Sequence, residues 1–136
     1  MSLYLFASTE RELEQEAIDI LRKEKVIITD YSGKVRDGKT GHFYYEISNE
    51  ISPNNGTLNT YNKIDNVEDA LEHLHEKGNF RLIKIDTEYG EDYIKKIEKG
   101  YFEETVEHFP QEKIGLGEVL EKYPQDIESN RIYIVD

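Results

Sequence analysis

Short apolar runs alternate along this chain with amphipathic stretches, and turn residues separate them. Leu3 to Phe6 is an apolar run that reads as a first strand. Thr9 and Glu12 have the spacing of a capping box. Leu13, Ala17, Ile20 and Leu21 follow at helical spacing, so the pattern predicts a helix over residues 10–24. Glu10, Glu12, Glu14 and Glu16 lie near its start, where the helix dipole favours anions. Val26, Ile27, Ile28 and Thr29 are all β-branched and predict a strand over 26–30.

Asp37-Gly38 and Thr40-Gly41 are turn signals. Beyond them Phe43, Tyr45 and Ile47 alternate with His42, Tyr44 and Glu46, which predicts a strand over 42–48 with one apolar face. Residues 26–48 thus read as a hairpin or meander. Ser52 to Gly56 is a second turn cluster, and Thr57 to Tyr61 can return from it as a strand. A helix over 66–77 has Asp65 as its cap, Val67, Ala70, Leu71 and Leu74 as its buried stripe, and Gly78 as its stop. Phe80 to Asp86 is a strong strand, with Ile83 and Ile85 on one side and Leu82 and Lys84 on the other.

The last third predicts three short helices. Tyr93, Ile94 and Ile97 mark one closed by Gly100; Phe102, Val106 and Phe109 mark a second closed by Pro110. Leu116, Val119, Leu120 and Tyr123 mark a third closed by Pro124. Helices this short must be held by packing rather than propensity. A strand over 131–135 ends the chain. The expected architecture is one α+β domain over 1–136: a mostly antiparallel or mixed sheet of about five strands, with two main helices packed on it and the short C-terminal helices closing a side or edge. The sheet is mixed if helix 66–77 links two parallel strands.

Composition narrows the class. Leu, Ile, Val and Phe supply 36 of the 136 residues, above the ~20% below which chains tend to stay unfolded. There is no cysteine, which removes disulfides, thiol catalysis and Cys-ligated metals together and favours a cytoplasmic setting. Met1 to Ala7 lacks the basic leading region of a signal peptide, and no apolar run approaches the ~20 residues of a membrane span.

Candidate chemistry is sparse. Gly115-Leu116-Gly117 lacks the third glycine and preceding strand of a dinucleotide loop. His73 and His75, two apart on a helix, diverge by ~200° and do not chelate one metal; His108 sits at a helix end, where a structural role suffices. Ser32, Ser48 and Ser52 have no nucleophile-elbow context. His42, Tyr44 and Glu46 share one strand face and form a plausible acid–base set, although a solvated sheet face gives the same pattern. Asp86, Glu88, Glu91 and Asp92 fall where a strong strand hands over to a helix and offer oxygens to a hard cation, but without the spacing of a calcium loop. No cofactor is implied.

Charge is the feature that points outward. Twenty-nine acids against 17 bases give a net charge of -12. That argues against nucleic acid as a partner and favours a basic protein; with no apolar run of spanning length, no membrane partner is expected. The final 36 residues hold 9 acids and 3 bases. Glu103, Glu104 and Glu107 share one short helix, and Glu118 and Glu121 lie on the next. These five are the candidate docking residues, against the simpler reading of a solubilising face. The expected function is a non-enzymatic binding or regulatory module for a basic partner, inhibitor- or immunity-like. A small enzyme using the 42–46 face is the alternative, and a homodimer pairing through Tyr44 and Tyr133 is a third.

Overall fold

A computed structural model describes residues 3–48, 67–86, 88, 91–122 and 127–136. Its elements in chain order are β1 (Leu3–Thr9), α1 (Gln15–Lys23), β2 (Ile27–Asp30), β3 (Phe43–Ser48), α2 (Val67–Glu76), β4 (Phe80–Asp86), α3 (Glu91–Glu98), α4 (Phe102–Val106), β5 (Gln111–Ile114), α5 (Leu116–Lys122) and β6 (Arg131–Val135). The strands form one sheet in the order β2-β3-β1-β4-β6-β5, so the fold is α+β with six strands. Every pairing is antiparallel except β5 with β6.

The order explains the helices. β3 is antiparallel to both β1 and β2, so α1 joins two parallel strands with β3 between them. Likewise β1 separates β3 from β4, and α2 makes the second crossover. The two crossovers interleave as a split β-α-β unit. α2 therefore connects parallel strands that are not neighbours, and only the added β5–β6 pair makes the sheet mixed.

Both faces of the sheet are covered. On one, Leu13, Leu21, Leu71, Leu74 and Val119 pack over Leu5, Tyr45, Ile47, Leu82 and Tyr133, so α1, α2 and α5 form one layer. On the other, Ile94, Ile97, Phe102, Val106 and Phe109 pack over Phe6, Tyr44, Ile83, Ile85 and Ile132, so α3 and α4 form the opposite layer. Phe102 stands edge-on to Phe6 and Tyr44, with ring centroids 5.6 and 5.1 Å away.

Several sequence expectations are corrected. Among the described residues the sheet has six strands, not about five: β5 is a polar edge strand in which only Ile114 is buried, so it carries no periodic signal. The capping box at Thr9 does not form. Thr9 is the last residue of β1, paired with Phe43, and its hydroxyl donates to the Arg11 carbonyl at 2.8 Å. Glu10 and Arg11 donate their amides to Gly78 and Lys77, tying this segment to the end of α2. The helix starts only at Gln15, after the Leu13 amide has found the buried Tyr45 hydroxyl at 2.8 Å. Ile20 lies outside the buried stripe and is exposed. The turn and strand expected over 52–61, the Asp65 cap, and Tyr123 and Pro124 lie outside the described residues.

Gly100 fits the sequence expectation more tightly than a helix stop requires. It has φ +101°, its carbonyl accepts from the Arg36 amide at 2.7 Å, and a β-carbon there would lie 2.8 Å from the Lys34 carbonyl oxygen. Backbone conformation and space both reject a side chain. Gly100→Ala is expected to cost about 2–3 kcal/mol, the combined scale of left-handed strain and a backbone clash, read as a lower urea midpoint with an unchanged slope.

Candidate functional site

The strand bearing His42, Tyr44 and Glu46 is where sequence chemistry and structure meet. The expected open, solvated face does not exist. Tyr44 and Glu46 are buried at 3% and 2% exposure because α3 and α4 cover that side of the sheet. His42 stands just before β3 at partial exposure. The three are not one acid–base set. Glu46 lies toward the part of the sheet where Tyr4 and Tyr31 feel its charge, and Tyr44 and His42 lie toward Arg81 and Glu103.

At that second end the polar groups form a chain. Arg81 interrupts the apolar run of β4 on the face that bears Ile83. Its guanidinium donates to both Glu103 oxygens, at 3.1 and 2.6 Å, and its Nε donates to the Ser8 hydroxyl at 2.7 Å. Tyr44 donates to Glu103 Oε2 at 2.5 Å and accepts the Lys39 amide at 2.8 Å. The Asp37 carboxylate accepts the amides of Glu103 and Glu104, at 3.1 and 2.8 Å, and so caps α4 from a distant loop. Bidentate pairing of a guanidinium with a carboxylate is the strongest geometry such a pair can adopt.

Charge states follow from this arrangement. Burial alone would raise the Glu103 carboxyl, but the hydrogen bonds from Arg81 and Tyr44 outweigh it and hold the group below the ordinary carboxylate range. Burial first, then the bond to Glu103, pushes the Tyr44 hydroxyl up to about 12. That hydroxyl is a fixed donor and not a general base. Burial, then the cationic Arg81 and Lys39, lowers His42, with Glu103 and Glu10 opposing. Its Nδ1 is buried with no hydrogen-bond partner among the described residues.

Other candidates are dispersed. Asp86 is buried, and its Oδ1 accepts the Glu88 amide at 2.9 Å, closing a turn. Asp92 is exposed, and the Glu91 side chain lies outside the described residues. Among the described residues no group of three His, Cys, Asp or Glu is placed to hold a metal ion. Tyr44 and Tyr133 are buried in opposite faces of their own sheet, so they do not offer a dimer surface; Tyr133 instead accepts the Glu128 amide at 2.8 Å. Glu103 is likewise spent inside the molecule. Glu104, Glu107, Glu118 and Glu121 are exposed.

Sequence reasoning missed Ser8, Asp37 and Arg81. Asp37 looked like turn chemistry and is in fact a cap 66 residues away from the amide it serves. Arg81 carried a signal: a charge on a strand face otherwise set by Ile83 and Ile85. Comparison of the chain with family models, with curated proteins and with solved structures finds no match.

The lowered His42 sets a pH dependence. A histidine whose folded value is depressed contributes stability that is complete above its unfolded value of ~6.5 and is lost as pH falls through the folded value. Stability is expected to decline from just below pH 6.5, before the carboxylates titrate, and His42→Asn is expected to flatten that first step. Urea unfolding at half-unit pH intervals measures it; identical profiles for the two proteins would contradict the assignment.

Proposed function

We propose that this chain is a non-enzymatic binding or regulatory module, inhibitor- or immunity-like, that engages a basic protein in a cytoplasmic setting. One contrast carries the reading. Tyr44 and Glu103 are turned inward and committed to holding α4 on the sheet, whereas the surplus carboxylates are turned outward. Glu104, Glu107, Glu118 and Glu121 stand exposed in a stretch where acids outnumber bases 9 to 3. Of these, Glu118 shares its charge with Lys122 at 3.3 Å across one helical turn, and Glu107 lies 3.3 Å from the exposed His108. An acidic face of this kind accelerates encounter with a basic partner and loses that advantage as salt rises. No helix among the described residues is long and apolar enough to cross a membrane, which is compatible with the setting proposed.

Glu104→Lys, Glu107→Lys, Glu118→Lys and Glu121→Lys, combined, are expected to abolish capture of a basic protein that the unaltered chain retains from native lysate at low salt. High salt should weaken the unaltered complex. Equal capture by both forms, or no specific protein at any salt, would contradict the proposal.

A further inference from the structure

Among the described residues the six-stranded sheet ends in β2 on one side and β5 on the other. At β5 the backbone groups alternate, as in any parallel ladder. Ile132 donates its amide to the Pro110 carbonyl at 2.9 Å, Asp136 donates to the Ile114 carbonyl at 2.8 Å, and Leu116 donates to Asp136 at 3.2 Å. The even-numbered positions thus face β6, and Gln111 and Lys113 direct their N–H and C=O groups away from the sheet. Gln111, Lys113 and Gly115 are all exposed. An open strand edge of this kind is a template for another strand. The opposite edge is less open: at β2 Ile28 is buried and the Asp30 carboxylate folds back onto the Ser32 amide at 2.9 Å.

Charge selects the occupant. The chain enters β5 from the α4 layer and leaves it into the α5 layer on the other face of the sheet. Acids flank the strand in sequence: Glu107 before it, Glu112 within it, Glu118 and Glu121 after it. Glu112 and Glu128 share the single guanidinium of Arg131, at 3.8 and 2.9 Å. A second copy of this chain is a poor occupant. A centred antiparallel pairing would set Glu112 against itself across the two-fold, and each copy brings a charge of -12.

We infer that β5 is a docking edge that adds an extended, Lys- or Arg-bearing segment of a protein partner to the sheet. The inference rests on the acidic docking function proposed above and adds the mode of contact: main-chain bonds from Gln111 and Lys113 supply the register, and the surrounding carboxylates select basic side chains.

Lys113→Pro separates strand addition from charge attraction. Proline there deletes an outward donor and spares the bonds to β6, and it also removes a positive charge. Pure charge attraction would leave binding of a basic peptide unchanged or tighter; strand addition would weaken it. The probes are an alternating Lys-Val heptapeptide, a Lys-Pro heptapeptide that cannot form a strand, and a Glu-Val heptapeptide, each titrated at low salt. Binding and amide hydrogen exchange are followed by NMR. The Lys-Val peptide is expected to bind most tightly, to protect the Gln111 and Lys113 amides, and to bind Lys113→Pro more than tenfold more weakly. Gln111→Pro serves the same purpose if Lys113→Pro unfolds, and protection in the unaltered chain needs no variant. Equal binding of the Lys-Val and Lys-Pro peptides without protection overturns the strand edge but leaves the acidic surface standing. Failure of both basic peptides to bind overturns both. Concentration-dependent protection of the same amides without peptide makes a second copy the occupant and overturns the basic segment.

Discussion

The fork between Arg81 and Glu103 pins α4, the shorter of the two helices in the third layer, to the sheet. α4 is only five residues long and has no intrinsic stability at that length. It stays on the sheet because Phe102 wedges against Phe6 and Tyr44, and because Glu103 is clamped by Arg81 and Tyr44. Asp37 then satisfies the first amides of the helix. Without that lid, Tyr44, Ile83 and Ile132 would meet water. The clamp sits largely out of solvent, with side chains 12% and 15% exposed, so its hydrogen bonds act in a low-dielectric setting and each unpaired member would be costly.

This constraint separates two kinds of acid. Glu103 and Glu46 are buried components of the architecture, and Asp37 is a helix cap. The exposed glutamates on α4, α5 and the connecting segments have no such internal duty that accounts for their number. Solubility explains part of that surplus, since like charge keeps small proteins apart. The proposed docking role accounts for its concentration after residue 100.

Much of the fold could be read from the chain. Among the described elements, five of the six strands and all five helices could be read from short apolar or β-branched runs and from period-two or period-3.6 patterns. β5 escaped because an edge strand with one inward residue has no period to detect. Coverage of both faces was present in β4, where Phe80 and Leu82 oppose Ile83 and Ile85, a pattern expected of a strand buried on both sides. The polarity of His42, Tyr44 and Glu46 concealed it in β3. The site was less legible still: its bonds join Ser8, Asp37, Tyr44, Arg81 and Glu103 across long sequence separations, and no local spacing encodes them.

The most direct test is a double-mutant cycle on the clamp, using Arg81→Met, Glu103→Leu and the pair combined, with stability measured by urea unfolding. Residues that act as one unit show coupling of about 1–3 kcal/mol, and the double variant should recover much of what either single change loses. Additivity within about 0.5 kcal/mol would show that the two side chains act independently, and would contradict the view that this pair holds α4 on the sheet.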